Sequence, residues 1–175
     1  DAWGFDERRL DAALAGAKLL LFNDPHNPTG HRFSEAERDA IARLCAKHDV
    51  VIVTDEIYEH MCFRGGPYAT LAARPDCADR VVVVNSISKT AKATGWRIGW
   101  VVASAARTAK IRAVHDQLVA CCPTPLQHGV AALLDHPETD ETVLAAIAGE
   151  YEAKRDALAT ALARAGFGLG PTPAG

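Results

Sequence analysis

Residues 81–89 read Val-Val-Val-Val-Asn-Ser-Ile-Ser-Lys, and this stretch decides the fold. Its β-branched run favours a strand that is buried inside a sheet. The strand would deliver hydroxyl groups and the Lys89 amine to its C-terminal end, and the Arg97 guanidinium follows a short loop later. The stretch therefore predicts a buried strand that ends in polar groups capable of chemistry.

Three more apolar segments predict the other strands of the same sheet. They cover residues 18–23, 50–54 and 96–103, while the strand described above spans residues 80–85. Helical or loop segments separate the first three strands. Continuous apolar strands in this alternation are typical of an α/β fold, with a mostly parallel sheet and helices on both faces. We predict that fold class.

Capping residues and apolar periodicity predict the helices. Residues 6–15 form a short amphipathic segment, and Ser34 with Glu37 forms the capping box of a helix that ends near His48. The last helix is predicted from about residue 142 to residue 165. Its candidate core positions are Leu144, Ile147, Tyr151, Leu158 and Leu162. These helices would supply the layers that cover the sheet.

Length and charge exclude several classes of partner. The chain has 175 residues, of which 49% are apolar, enough for one domain with a substantial core. Its formal net charge is −3 and no Lys or Arg cluster runs along one face, so we expect neither a nucleic acid nor a membrane partner. No apolar run approaches the roughly 20 residues of a membrane span, and no signal peptide is visible. We expect a cytoplasmic protein.

The spacing of cysteine and histidine predicts no metal site. The five cysteines include no pair with metal-ligand spacing, and we expect reduced thiols. His26 and His31 flank a proline-rich loop, but a third ligand is missing nearby in the sequence. The chemistry of the chain must therefore come from other side chains.

Each of the first three predicted strands ends beside side chains that can do chemistry. Asn27 comes after the first strand. Asp55 and Tyr58 come after the second. Ser86 and Lys89 come after the third. Ligands of mostly parallel sheets bind beyond the C-terminal strand ends, so the shared placement predicts one site at that edge.

An amine, hydroxyls and a guanidinium together suit a phosphorylated aldehyde cofactor. The Lys89 amine can condense with the aldehyde, while Ser86 and Arg97 can hold the phosphate. Asp55 can form a salt bridge with a protonated pyridine nitrogen, which makes pyridoxal phosphate the matching cofactor. We predict Lys89 as the catalytic residue. The predicted cofactor-binding residues are Asn27, Asp55, Tyr58, Ser86, Lys89 and Arg97.

Each of these residues also has a purely structural explanation. Lys89 can be a solvated loop residue, Asp55 the N-cap of a following helix, and Tyr58 a half-buried aromatic. Asn27 lies in a turn-forming sequence, and a surface position would account for Arg97. The functional hypothesis therefore depends on the combination of residues and not on any one of them.

Four short motifs together resemble those of a known family. They are Asn-Pro-Thr-Gly at 27–30, Asp-Glu-Ile-Tyr at 55–58, Ser-Ile-Ser-Lys at 86–89 and Gly-Trp-Arg at 95–97. In order and spacing they are similar to the motifs of the class I/II aminotransferases of pyridoxal phosphate fold type I. The resemblance implies that Lys89 forms a Schiff base with the cofactor.

The same resemblance implies a role for the other predicted residues. Asp55 would pair with the pyridine nitrogen of the cofactor. Asn27 and Tyr58 would contact its ring hydroxyl, and Ser86 and Arg97 would contact its phosphate. The resemblance thus implies one bound cofactor for all of these side chains.

Family members are longer than this chain, which leads to a domain expectation. The glycine-rich phosphate turn and the aromatic residue that stacks on the ring would lie before Asp1, and the arginine for the substrate carboxylate after Gly175. We expect residues 1–165 to be the central and C-terminal part of the cofactor-binding large domain, and residues 166–175 to begin a C-terminal small domain. Alone, the chain is expected to be inactive; the full-length protein is expected to be a homodimer.

The predicted function is transfer of an amino group from an amino acid to a 2-oxo acid, as part of amino-acid metabolism and biosynthesis. Two alternatives remain. A lyase, an oxidase or a cyclase of the same fold would share the cofactor site and differ on the substrate side. A non-catalytic aminotransferase-like effector domain would be fused to a DNA-binding module, and this sequence contains no such module.

Overall fold

A computed structural model describes residues 3–63, 66, 68–136, 138, 143–171 and 174. The strands are β1 (Leu19–Asn23), β2 (Val51–Asp55), β3 (Val81–Ser86) and β4 (Gly99–Val102). The α-helices are α1 (Glu7–Leu14), α2 (Glu35–Lys47), α3 (Ile87–Thr90), α4 (Ala105–Leu118), α5 (Thr124–Leu134) and α6 (Ala145–Arg164). Short 3-10 helices cover Glu59–Met61, Leu71–Ala73, Ala78–Arg80 and Thr94–Trp96. All four predicted strands are present, but the fourth begins at Gly99 and not at Trp96, which is the last residue of a 3-10 helix.

The four strands form one mixed sheet in the order β1-β2-β3-β4. β1, β2 and β3 are parallel, whereas β4 runs antiparallel to β3. The connection from β3 to β4 contains only the one-turn α3 and a 3-10 turn, and this segment reverses the chain instead of carrying it back across the sheet. The predicted α/β class with a mostly parallel sheet is confirmed.

The main core lies between one face of the sheet and helices α1 and α2. Alternation along β1 and β2 points Phe22 and Ile52 to this face, where they pack against Ile41 and Leu44 of α2. The predicted capping box begins α2: the Ser34 hydroxyl accepts the amide of the third helical residue, whose side chain accepts the Ser34 amide in return. Strands β1 and β2, whose ends precede the predicted site residues, are therefore packed against the layer formed by α1 and α2.

A second, smaller core holds the region after β3. Ile87 is fully buried and packs with Ile98 and with Val130 of α5. Because Ile87 is the first residue of α3, this packing fixes the single helical turn that carries Lys89.

The opposite face of the sheet is less covered by the described helices. Leu21, in the middle of β1, is 71% exposed, and Val84 of β3 is 37% exposed. The apolar stripe predicted as core in the last helix also differs: Leu144 is buried, but Leu158 is 60% exposed. Apolar periodicity in α6 therefore did not by itself indicate burial. The predicted start of this helix at Thr142 lies outside the described residues.

The end of the chain returns toward the strand ends. After α6, Gly166 adopts a left-handed conformation, and Ala174 then bonds to two other segments. Its amide donates to the Gly30 carbonyl at 2.9 Å, and its carbonyl accepts the Phe63 amide at 2.9 Å. Of the predicted segment 166–175, residues 172, 173 and 175 lie outside the description. None of the described helices has the length and apolar character that crossing a membrane requires.

Candidate functional site

The register of the sheet brings the three parallel strand ends to one level. Asn23, the last residue of β1, pairs with Asp55, the last residue of β2, and Asp55 in turn pairs with Val84 of β3. β3 continues two residues further, to Ser86. The polar clusters predicted from the sequence therefore lie at the same edge of the sheet.

Asn27 and Tyr58 come together, although they belong to different loops. The Asn27 side-chain amide lies 3.4 Å from the Tyr58 hydroxyl, a long hydrogen bond between an exposed residue and a half-buried one. Both line a cavity of about 300 Å³ that is otherwise mainly apolar, with Met61, Phe63 and Tyr151 in its wall. The pair thus presents polar groups beside an apolar cavity, as ligand sites commonly do.

Asp55 is half-buried at the end of β2. Its Oδ1 accepts the Ile57 amide at 3.2 Å, so the local capping contact considered for this residue is present. Its Oδ2 accepts no hydrogen bond from the part of the chain that the structure describes. One carboxylate oxygen therefore orients the side chain locally, while the other can accept a hydrogen bond from a ligand.

Ser86 and Lys89 lie on either side of the turn from β3 into α3. The Ser86 hydroxyl accepts the Ser88 amide at 3.2 Å as the N-cap of α3, which leaves its own proton available for donation. Lys89 is half-buried between the buried residues Ser88 and Thr90. The turn is further closed by the Thr94 hydroxyl, which donates to the Ser88 carbonyl at 2.9 Å. Lys89 thus belongs to a braced helical turn and not to a free loop.

Arg97 follows the 3-10 helix Thr94–Trp96 in a left-handed backbone conformation, with φ of 55°. Its guanidinium donates to the Thr94 carbonyl at 3.1 Å, and its other N–H groups make no hydrogen bond to the described residues. The side chain is exposed. Within the same residues, no hydrogen bond joins Lys89 or Arg97 to the Asn27–Tyr58 pair, and neither of them lines the cavity beside that pair.

Two residues at the end of β1 that the sequence analysis gave no role connect these elements. The Asn23 side chain donates to the Asp55 carbonyl at 2.9 Å and accepts the Asn27 amide at 2.8 Å. Asp24 is fully buried and lies 3.4 Å from Arg38 of α2, which is 8% exposed. The sequence signal for the Asp24–Arg38 contact was the position of Arg38 on the apolar side of α2.

Glu56 is a third residue without a predicted role. It is 1% exposed, and its Oε1 accepts a hydrogen bond from the Thr70 hydroxyl at 2.8 Å. The Thr54 and Tyr68 hydroxyls face the carboxyl at longer range, and neither has a hydrogen-bond partner among the described residues. Burial raises the pKa of the Glu56 carboxyl to about 7, against the Thr70 hydrogen bond, and the charge of Glu59 adds to the rise.

A larger cavity of about 500 Å³ lies between the Glu59–Met61 turn and α6. None of the six predicted site residues lines it, whereas Asn27 and Tyr58 line the smaller cavity. In the described part of the chain, no group of three or more His, Cys, Asp and Glu side chains is placed to hold a metal ion.

Known proteins share this sequence and this fold. The family model of aminotransferase class I and II matches residues 1–175. A kynurenine–oxoglutarate transaminase of Dictyostelium discoideum is 34% identical over 94% of this chain and 38% of its own length. A probable N-succinyldiaminopimelate aminotransferase of Mycobacterium tuberculosis is 36% identical over 90% of this chain and 39% of its own length.

A solved structure agrees with these relatives. The N-succinyldiaminopimelate aminotransferase from Mycobacterium tuberculosis superposes with a TM-score of 0.92 at 34% identity, covering 98% of this chain and 44% of that protein. The chain therefore spans less than half of the length of the relatives it matches. Because the family model matches the whole sequence and the fold agrees throughout, the chain belongs to the aminotransferase class I and II family.

Proposed function

We propose that the full-length protein is a pyridoxal phosphate-dependent aminotransferase, and that this chain supplies the lysine and much of the cofactor site. The observation that carries the proposal is the meeting of three parallel strand ends, where the Asn27, Asp55 and Ser86–Lys89 segments lie at one edge of the sheet. Family membership supports the cofactor, since the family model matches the whole sequence and the motifs at these strand ends resemble those of the family.

The chemistry of the described side chains fits the cofactor. Asp55 has a carboxylate oxygen without a hydrogen bond in the described part of the chain, and this oxygen can hold a proton on the pyridine nitrogen. Asn27 and Tyr58 are already paired and can both donate to the ring oxygen. Ser86 has a free hydroxyl proton and Arg97 has unused N–H groups, which suit a phosphate.

Lys89 is the proposed attachment and proton-transfer residue. When bound, pyridoxal phosphate supplies an electron sink for the carbanion formed at the α-carbon of an amino acid. The Lys89 amine, once exchanged for the substrate amine, is free to take a proton from one carbon and return it to another. The packing of Ile87 in the second core holds α3, and with it the amine, in place for this transfer.

Transfer is favoured over the two alternatives. The relatives described above are named as transaminases or aminotransferases, which supports exchange with a 2-oxo acid and not elimination, oxidation or cyclisation. These names do not include an effector protein. A panel of amino donors, with 2-oxo acid and ammonia both measured, separates transfer from elimination in the full-length protein.

The remaining features of the proposal concern the whole protein. Residues 1–165 form part of the cofactor-binding large domain, and residues 166–175 begin the small domain, whose first segment reaches Gly30 and Phe63 through Ala174. The substrates are an amino acid and a 2-oxo acid in amino-acid biosynthesis, with neither nucleic acid nor membrane as partner. The protein acts as a homodimer in the cytoplasm.

Replacement of Lys89 tests the proposal in the full-length protein. Lys89→Ala should remove the near-visible absorbance of lysine-bound pyridoxal phosphate and abolish transfer, because it removes the amine that the proposal assigns to cofactor attachment. The matched control is Lys92→Ala, which removes an exposed lysine just after α3, whose amine pairs with Glu150. A band that persists in Lys89→Ala would reject this lysine as the attachment point.

Asp55 provides a separate test of the cofactor-binding half of the site. Asp55→Ala should retain the near-visible band but sharply slow removal of the substrate α-proton in single-turnover experiments, because the pyridine nitrogen would lose the carboxylate that keeps it protonated. An unchanged single-turnover rate would discard this role for Asp55.

A further inference from the structure

One carboxamide links the two loops of the proposed site. Asn23 is half-buried at the end of β1, 32 residues before Asp55. Its Nδ2 donates to the Asp55 carbonyl at 2.9 Å, while its Oδ1 accepts the Asn27 amide at 2.8 Å. The same side chain therefore touches the backbone of two of the three residues that the proposal assigns to the cofactor ring, Asp55 and Asn27.

Only a short carboxamide makes both contacts. Asn carries a donor and an acceptor on one planar group, and the two backbone partners fix which end faces which. Aspartate at this position would keep the acceptor for Asn27, but it would turn a second acceptor toward the Asp55 carbonyl oxygen. Alanine would remove both contacts. The identity of the residue at position 23 thus matters beyond its size.

The Asp55 carbonyl, which accepts the Asn23 side chain, also accepts a second hydrogen bond. The Asp24 amide also donates to the Asp55 carbonyl, at 3.2 Å, so this oxygen receives two hydrogen bonds from consecutive residues of the first strand end. Among the described residues, the Asn27 amide donates to no second acceptor. The Asn23 side chain therefore connects the loop that carries Asn27 directly to the end of β2 at Asp55.

We propose that Asn23 is a positioning residue, which sets the Asn27 side chain, and the Tyr58 hydroxyl paired with it, at a defined place relative to Asp55. The inference rests on the proposed function, because it assumes that these three side chains share one cofactor ring. Asn23 itself does not touch the cofactor; it acts through the backbone of Asn27 and Asp55.

The test uses the full-length protein and two substitutions, Asn23→Asp and Asn23→Ala. Affinity for pyridoxal phosphate is measured by titration of the cofactor-free protein. The pH midpoint of the near-visible band is measured on the loaded protein, because it responds to hydrogen bonds at the ring oxygen. Thr160→Ala serves as control, since it also removes one contact to a backbone carbonyl, in this case on exposed α6.

Both Asn23 variants should bind the cofactor at least about tenfold more weakly, since Asn23→Asp loses one half-buried hydrogen bond and Asn23→Ala loses two, and both should shift the pH midpoint. The control should retain both wild-type values. Wild-type affinity and midpoint in both variants would overturn the inference. So would a loss of thermal stability with an unchanged midpoint, or failure of both variants to fold, since either result would make Asn23 a fold residue only. A wild-type protein without the band would instead refute the proposed function.

Discussion

Replacement of Glu56 by glutamine should flatten the pH dependence of stability near neutral pH. Burial raises the pKa of this carboxyl from 4.5 to about 7, even though the Thr70 hydroxyl donates to it, and the nearby Glu59 charge reinforces the rise. Glu56 is therefore protonated in the folded protein at pH values where it is ionised in the unfolded chain.

The sign of the effect follows from proton binding in the two states. Between pH 4.5 and about 7, the folded state keeps the Glu56 proton and the unfolded state has lost it. The contribution of this residue to stability is thus fully present below pH 4.5 and is lost as the pH rises through about 7. A pKa rise of this size corresponds to about 3 kcal/mol across the window.

Urea unfolding of the full-length protein at pH 5 and pH 8 measures this contribution. Glutamine keeps an acceptor for the Thr70 hydroxyl and has no charge to lose, so Glu56→Gln should gain about 3 kcal/mol relative to wild type on going from pH 5 to pH 8. Glu35→Gln, at an exposed position in the first turn of α2, is the control and should show no such change. An equal difference between wild type and Glu56→Gln at both pH values would refute the reasoning.

Two further substitutions test the packing around the strand ends, both by urea unfolding. Arg38→Met should destabilise the protein by about 3–5 kcal/mol, because it leaves the fully buried Asp24 carboxylate without its cation. The control is Arg43→Met, which breaks an exposed ion pair and should cost at most about 1 kcal/mol. Gly99→Ala should cost about 1–3 kcal/mol, because its Cβ would lie 2.9 Å from the Asn85 carbonyl oxygen. Wild-type stability of either Arg38→Met or Gly99→Ala would contradict these contacts.

Local signals in the sequence were enough to predict the strands and the edge of the sheet where the candidate site residues lie. The valine run of 81–84 is apolar on both faces, so it predicts a buried strand, and each polar cluster follows a strand directly. Because parallel strands end at one edge, residues far apart in sequence could be placed together without any knowledge of register. The pairing of Asn23 with Asp55 confirms that placement.

The contacts that hold the site together could not be predicted in the same way. The bond from Asn23 to the Asp55 carbonyl depends on register, and a shift by one residue would turn both side chains to the other face. Glu56 follows Asp55 directly, and alternation along the strand end turns it into the protein while its neighbour stays half-buried. In α6 the sequence pattern predicted too much burial, since Leu158 fits the apolar periodicity but is mostly exposed.

The buried ion pair at the end of β1 is best explained by the backbone that it serves. Burial raises the pKa of the Asp24 carboxyl against the Phe33 and Arg38 hydrogen bonds, so the pair is costly to bury as an isolated interaction. However, Asp24 Oδ1 accepts the Phe33 amide at 3.1 Å, and Arg38 donates to the Phe33 carbonyl at 2.7 Å. The pair thus satisfies both backbone groups of a residue that has no strand partner.

This arrangement anchors the loop of Asn27 at both of its ends. At one end the Asn23 carboxamide holds the Asn27 amide, and at the other the Asp24–Arg38 pair holds Phe33. A hydrophobic pair of similar volume could fill the same space, but it would leave the amide and carbonyl of Phe33 unsatisfied and the loop without its second anchor. The shape of the proposed cofactor site is therefore determined by buried polar groups that lie behind it.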